Sequence, residues 1–400
     1  MPFFYCIFVP CNNPYDMKIQ EIQTAFQKIY GVEAEHAYFA PGRVNLIGEH
    51  TDYNGGLVFP CALSFGTWLL ISRRNDQQNC LHSLNMEFST TIDNAIFSQS
   101  PKEWIKYPAG VMKEFADNGY NTFGYNMLFA GNVPLGSSLS SSASIEVVTA
   151  IMLNDVCQAK LDMTELVKLS QRAECDFVGV KCGIMDQFAS GFGKKDHAIA
   201  LDCATLKYEL VPLKINGYKL LITNTNKPHS LVASKYNDRR RECEEAAQIL
   251  SQKYPITHLC ELTEEQFEAS KDLIHDTIER NRAEHAVYEN ARVHKAIAAL
   301  KTGDLALFGQ LMNASHRSLK ELYEVSCFEL DTLAENAQQF DGVIGSRMTG
   351  GGFGGCTVTL IQEEKVDALI AHLAPLYKEA TGLEASFYLA DIGDGARKLF

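Results

Sequence analysis

No Gly-Lys-Ser or Gly-Lys-Thr triplet occurs in the 400 residues, so the chain carries no Walker-type phosphate loop. His-Arg-Asp and Asp-Phe-Gly are also missing, which excludes the protein-kinase set. The 12 cysteines never form a Cys-x-x-Cys pair and follow no regular spacing. A zinc ribbon, a thioredoxin-type dithiol and a disulfide-dense scaffold are therefore disfavoured, and a reducing cytosol fits best. Positive charge is scarce: 36 Lys and Arg against 49 Asp and Glu leave a net charge of −13. That balance argues against nucleic acid or an anionic membrane as the main partner. No apolar run is long enough to span a bilayer. The apolar first ten residues lack a basic start and a small-residue cleavage site, so no signal peptide is expected and a cytoplasmic location is.

What is present is an ordinary globular composition, 46% hydrophobic and 21% charged, long enough for two or three domains and a large core. Residues 1–16 read as an extension. An amphipathic segment then begins at Met17, with Ile19, Ile22, Phe26 and Ile29 on one helical face. Strands are expected at 67–72 and 125–130, helices at 104–115 and from about 144, and a capping box at Asp162-Met-Thr-Glu165 opening a helix to about 177. Strand periodicity returns at Tyr218, Leu220 and Ile222. A charged helical stretch follows over about 234–322, broken at Tyr254-Pro255 and at 301–304. The end reads as strand 357–361, helix 364–380 and strand 385–390. Strands and helices interleaved without a βαβ rhythm predict an α+β fold, divided into 17–210 and 211–400.

Residues 40–56 hold the densest chemistry. Arg43, Glu49, His50 and Asp52 fall within ten residues, punctuated by Pro41, Gly42, Gly48, Gly55 and Gly56. A short apolar strand over 44–47 would deliver a polar turn offering one guanidinium, two carboxylates and an imidazole to a small polar ligand, as a sugar's hydroxyls require. Residues 131–144, Gly-Asn-Val-Pro-Leu-Gly-Ser-Ser-Leu-Ser-Ser-Ser-Ala-Ser, pass from strand to helix, so the loop is either a phosphate cradle at a helix N-terminus or simple capping. Gly350-Gly-Gly-Phe-Gly-Gly355 satisfies GxGxxG, but a strand follows it, so it is no dinucleotide fingerprint. Its glycines imply a close backbone approach or a tight turn. Taken singly, Asp186 reads as a cap, Glu174 as a solvated helix residue, and Trp104 and Tyr236 as core aromatics. Arg239-Arg240-Arg241 reads as a helix face paired with Glu242, Glu244 and Glu245.

Together, Gly42-Arg-Val-Asn-Leu-Ile-Gly-Glu-His-Thr-Asp-Tyr-Asn54, Pro134-Leu-Gly-Ser-Ser-Leu-Ser-Ser-Ser-Ala-Ser144, Cys182-Gly-Ile-Met-Asp-Gln187 and Arg347-Met-Thr-Gly-Gly-Gly-Phe-Gly-Gly355 resemble the galactokinases, a branch of the GHMP small-molecule kinases. The resemblance runs from about residue 17 to 400. It implies two α+β lobes around a cleft, and transfer of the γ-phosphoryl of ATP to the anomeric hydroxyl of α-D-galactose. By motif position, Asp186 would face that hydroxyl with Arg43 beside it, both also contacting the sugar. Glu49, His50, Asp52, Gly183 and Tyr236 would complete the sugar pocket. Gly136, Ser137, Ser138, Leu139, Ser140, Ser141 and Ser142 would wrap the ATP phosphates, Ser142 and Glu174 would hold Mg²⁺, and Trp104 would line the adenine pocket. Ser138 departs from the family pattern by replacing a glycine, which removes positive-φ freedom if the loop needs it. The implied partners are galactose and ATP, with no nucleic acid, no membrane and a monomeric state. The alternatives are an N-acetylgalactosamine kinase and a non-catalytic galactose/ATP sensor.

Overall fold

The computed structural model describes residues 17–86, 89–92, 103–134, 137–227 and 232–400, so the extension at 1–16 and Gly136 lie outside the described residues. The first half comprises α1 (Ile19–Tyr30), β1 (His36–Asn45), β2 (Leu57–Val58), β3 (Pro60–Arg73), β4 (Asn79–Ser83), β5 (Thr90–Ile92), α2 (Lys106–Asp117), β6 (Tyr125–Gly131), α3 (Ser141–Val156), α4 (Met163–Arg172), α5 (Met185–Phe192), β7 (His197–Asp202) and β8 (Tyr208–Pro212). The second comprises β9 (Tyr218–Asn224), α6 (Val232–Leu250), α7 (Glu264–Glu268), α8 (Thr277–Thr302), α9 (Leu305–Glu321), α10 (Phe328–Gln338), β10 (Val343–Thr349), β11 (Cys356–Gln362), α11 (Val366–Thr381), β12 (Ser386–Ala390) and β13 (Arg397–Lys398).

A six-stranded sheet in the order β13-β1-β3-β6-β4-β5 is antiparallel except at the β4–β6 pair. Its central strands carry unbroken apolar runs, Leu69-Leu70-Ile71 and Met127-Leu128-Phe129, because both faces are covered. Leu69, Ile71, Met127 and Phe129 pack with Phe115, Val147 and Leu166 of α2, α3 and α4. Leu70 and Leu128 meet Ile22 and Phe26 of α1 on the other face. The second sheet, β10-β11-β9-β12, is antiparallel throughout. Leu221 and Ile361 pack against Leu369 and Leu373 of α11. On the opposite face Ile222, Val358 and Leu360 join Phe308 and Met312 of α9 in a core that also takes in Val44, Leu46, Ile47 and Phe59. The apolar residues of the 40–56 segment are thus buried against the C-terminal half. A third sheet orders β2-β7-β8.

The expected α+β class holds, and the family's mixed architecture with it. The strand expected at 44–47 is instead β1, which begins at His36 and leaves regular pairing after Asn45. Pro41 and Gly42 sit inside it, at a register shift between Pro41 and Arg43, which hid the strand from a periodicity reading. Leu46 and Ile47 still exchange hydrogen bonds with Phe59 of the neighbouring chain segment. The position 210/211 falls inside β8, and β13 returns to pair with β1 in the N-terminal sheet. Asp162 caps α4, accepting from the Glu165 amide at 2.9 Å, and each of Arg239, Arg240 and Arg241 pairs with its expected glutamate along α6. Among the described residues all cysteines are free, and no helix is long and apolar enough to cross a membrane.

Helix α9 reaches β10 through two glycines. A Cβ at Gly309 would lie 2.2 Å from the Ile344 carbonyl oxygen, and one at Gly345 would lie 2.7 Å from the Gly309 carbonyl oxygen. Backbone cannot yield as a side chain can, so the helix would have to move off the strand that carries Arg347. Gly309→Ala is expected to cost about 2–4 kcal/mol, read as an earlier urea midpoint, despite the better helix propensity of alanine. An unchanged midpoint would refute the close contact.

Candidate active site

The site is built where β1 runs beside the serine loop. A Cβ at position 42 would lie 2.5 Å from the Leu139 carbonyl oxygen, so glycine lets the two segments touch, and the Arg43 amide donates to that same oxygen at 3.1 Å. The buried Arg43 side chain then makes a two-point clamp on Asp186: Nε to Oδ1 and Nη2 to Oδ2, each at 2.7 Å. Nη1 donates to the Ser138 carbonyl at 2.7 Å, and the Ser140 hydroxyl adds a 2.6 Å bond to Asp186 Oδ2. Asp186 lies in the first turn of α5, where the helix dipole favours a negative charge. Its side chain is 27% exposed, against 4% for its guanidinium partner.

The turn after β1 is held from the opposite half of the molecule. Glu49 Oε1 accepts from the Gly350 amide at 2.9 Å and the Thr349 hydroxyl at 3.2 Å, while Oε2 accepts from Asn45 Nδ2 at 2.8 Å and from the Arg347 guanidinium. Three protein donors therefore hold this carboxylate, and the Thr349 hydroxyl, whose single proton also has the Asn45 carbonyl within 3.0 Å, stands beside it as an alternative fourth. From α8, Glu289 accepts the Gly48 amide at 3.0 Å, and His285 Nε2 lies 3.1 Å from the Glu49 carbonyl. His50 adopts a left-handed φ of 63°, unusual for a side-chain-bearing residue. Burial, with the charge of Asp186 adding to it, pushes Asp52 up to about 6. Gly183 leaves room for Asp52: a Cβ there would lie 1.9 Å from Asp52 Oδ2.

A second group of carboxylates lies deeper. Glu174 is buried in the π-helical turn after α4, and burial together with the charge of Asp186 pushes it up to about 7. Gln187 Nε2 donates to Glu174 Oε2 at 2.6 Å and to Glu146 Oε2 at 3.0 Å. Glu146, fully buried on α3, is pushed well above the usual carboxylate range by burial and by Glu174. Its Oε1 has no partner among the described residues. Ser142, one helical turn before Glu146, hydrogen-bonds Glu174.

The serine loop and the glycine-rich turn are packed on each other. Ser138 and Ser140 sit at φ 57° and 59°, so the positive-φ conformation is used where the chain has serine. That costs of the order of 1 kcal/mol per residue. Gly355, at φ 82°, accommodates the loop, since a Cβ there would lie 2.3 Å from Ser138 Oγ. Between β10 and β11 the turn thus serves both purposes that its glycines suggested.

Arg43, Glu49, His50, Asp52, Glu174, Gly183, Asp186 and Tyr236 together line one cavity of about 130 Å³, with Val180, Cys182, Met185, Gly350 and Gly351 completing it. The loop residues Ser137, Ser138, Leu139, Ser140, Ser141 and Ser142 do not line it; Ser138, Ser140 and Ser142 reach it through their bonds to Arg43, Asp186 and Glu174, and Leu139 is buried in the core. Trp104 is not brought to this cavity. It is 6% exposed in the core of the first sheet, edge-on to Phe129 at 5.2 Å between centroids. Glu146, Gln187 and Arg347 have no role assigned from the sequence. A glutamate four residues after Ser142 on an otherwise apolar helix was the signal available for the first, whereas the partner of Arg347 lies 298 positions away.

The family model of the galactokinase galactose-binding signature matches residues 24–73, that of the GHMP kinase N-terminal domain residues 106–194, and that of the GHMP kinase C-terminal region residues 296–378. A galactokinase of Clostridium beijerinckii is 50% identical over 388 residues, covering 95% of this chain and 99% of its own. One of Fusobacterium nucleatum is 51% identical over 381 residues, covering 94% and 98%. The crystal structure of Lactococcus lactis galactokinase complexed with galactose superposes with a TM-score of 0.92 at 44% identity, covering 95% of this chain and 100% of its own. A Methanococcus jannaschii mevalonate kinase shares the fold, with a TM-score of 0.65 at 20% identity.

The raised carboxylates carry a pH signature. Glu174 holds its proton more tightly folded, near 7, than at its ordinary value of 4.5, so the stability it contributes is present below 4.5 and lost as pH rises through 7. In ligand-free protein, Glu174→Gln is expected to remove a penalty of roughly 3 kcal/mol at pH 8, raising the melting temperature there. The gain should shrink as pH falls towards 4.5. A melting temperature lowered equally at both pH values would contradict this.

Proposed function

The chain belongs to the galactokinase family of the GHMP kinases, and on that footing we propose how its residues carry phosphoryl transfer from ATP to galactose. The enzyme phosphorylates the anomeric hydroxyl of α-D-galactose, giving galactose 1-phosphate and ADP. Galactokinases matching nearly the whole chain at about half identity favour this over an N-acetylgalactosamine kinase or a non-catalytic sensor.

The observation that carries the residue assignment is the Arg43–Asp186 clamp opening onto the cavity. Of the four acceptor positions on Asp186, Arg43 takes two and Ser140 one, leaving one on Oδ1 for the sugar hydroxyl. Asp186 orients that hydroxyl towards the phosphoryl and receives its proton. Phosphoryl transfer through a loose transition state asks for little base strength before bond formation, so orientation is the larger part of the role. Arg43 fixes the carboxylate and sets a positive charge beside the transferring group. Asp52, His50, Gly183 and Tyr236 form the sugar wall. Glu49 lines it with its charge held by Arg347, so a sugar hydroxyl reaching it shares the carboxylate with protein donors.

The loop over 136–142 takes the phosphates, supported by its place at the N-terminus of α3. Ser142 and Glu174 would hold Mg²⁺. The fit rests on their oxygen-only donor set and on the buried Glu146–Glu174 pair, whose mutual repulsion a cation relieves. When bound, the ion neutralises phosphate charge. A monomer acting in the cytoplasm completes the reading, supported by free cysteines among the described residues.

Purified protein given ATP, Mg²⁺ and a panel of sugars should release ADP with galactose and far less with glucose, whose equatorial C4 hydroxyl leaves a buried acceptor unpaired. Asp186→Asn should lower turnover by roughly 10³-fold with the fold intact by circular dichroism. Near wild-type turnover in that variant would overturn the assignment.

A further inference from the structure

The wall of the cavity contains a pair of thiols that phosphoryl transfer does not use. Cys182 lines the cavity, and its Sγ lies 3.9 Å from that of Cys175. Both cysteines are free and half-buried, so neither is sealed in the core. A disulfide is about 2.05 Å long, so closing one asks the sulfurs to approach by about 2 Å. The chain between them is already folded back. The Glu174 carbonyl accepts from the Gly179 amide at 3.0 Å and the Val180 amide at 3.2 Å, and the Cys182 amide donates to the Val180 carbonyl at 2.7 Å. Gly179 makes that turn at a φ of 90°, with no atom within 4 Å of where a Cβ would stand, so the turn has room to give.

The pair is wired to the site at both ends. Cys175 follows Glu174 in the π-helical turn, and Cys182 precedes Gly183. The Cys182 thiol donates to Glu174 Oε2 at 3.6 Å, and the Cys175 thiol donates to the Cys182 carbonyl at 3.5 Å. A disulfide carries neither proton, so closing it takes a donor from Glu174. Gly183 packs directly on Asp52, since a Cβ there would lie 1.9 Å from Asp52 Oδ2. A shift of the 182–183 segment therefore reaches Asp52 as well.

We propose that Cys175 and Cys182 are a redox-sensing dithiol, which a peroxide closes to a disulfide that lowers the enzyme's activity and a thiol reductant reopens. One thiol attacks the peroxide: its S–O bond forms as the O–O bond breaks, giving a sulfenic acid and water. The second sulfur displaces the hydroxyl, the S–S bond forms as the S–O bond breaks, and the thiol proton leaves with the hydroxyl as a second water. Two electrons pass from the sulfurs to the peroxide oxygens. In a reducing compartment such a bond is transient and reports oxidant. The loss of activity rests on the cavity being the galactose site.

The test treats full-length protein with hydrogen peroxide and reads its tryptic peptides and its activity side by side. Cleavage after Lys181 separates the two cysteines, so the disulfide joins peptide 173–181 to peptide 182–194. Wild type should give that linked pair and lose about tenfold or more of its galactose-dependent ADP release, because a misplacement of about 1 Å near the chemistry costs about 10²-fold. Dithiothreitol should remove the link and restore the activity. Cys175→Ser should start at wild-type activity, form no link and keep its activity under the same treatment. Cys175→Ala carries the test if the serine variant does not fold. No linked pair in wild type, a linked protein with unchanged activity, or an equal loss in Cys175→Ser would overturn the proposal. The link is read by mass without substrate, so untreated protein that releases no ADP with galactose counts against the sugar reading instead.

Discussion

The pairing of Glu49 with Arg347 joins the two halves of the site. Both side chains are essentially out of contact with water, at 1% and 0% exposed. Desolvating two charges costs several kcal/mol per ion, a cost that hydrogen bonds to the remaining positions offset. Asn45, Gly350 and the Thr349 hydroxyl surround the carboxylate, and the Asn45 carbonyl receives a bond from Arg347 Nη1 at 3.2 Å, while Arg347 Nε has no partner among the described residues. Asn45 ends β1, Thr349 ends β10, and Gly350 follows it. The ion pair therefore ties the end of the strand that delivers Arg43 to the end of the strand that opens the glycine-rich turn.

Around that tie, the site accumulates groups that stability alone would not select. Asp52, Glu146 and Glu174 are pushed up by burial and by neighbouring carboxylates, His50 is pushed down with Nε2 unpaired among the described residues, and two serines occupy left-handed backbone. Unfavourable features concentrated in one cavity are what a binding site for charged and hydroxyl-rich ligands looks like before those ligands arrive. The surrounding structure offsets them. The six-stranded sheet is covered on both faces, and a shared core joins Val44, Leu46 and Ile47 to the C-terminal sheet.

Helices and central strands were legible because their patterns are local. The face of Ile22 and Phe26, the cap at Asp162 and the strand at Tyr218 each declare themselves within a few residues. β1 was read short, because a proline, a glycine and a bulge interrupt the alternation that marks a strand. The motifs themselves were visible as residue types and spacings, as was the departure at Ser138. Its conformation was not, and only the folded loop has the φ of 57° that made the substitution matter.

The sequence by itself determined the family, the reaction and which short segments would meet, because motif residues are selected at fixed local spacing. Tertiary structure decided what each charge touches. Arg43 and Asp186 are 143 positions apart, and Arg347 and Glu49 are 298 apart, so no local rule links them. It also separated Trp104, which core packing claims, from the residues lining the cavity. Burial depends on the whole fold, and it is burial that turns Glu174 from an apparent surface glutamate into a carboxylate near 7.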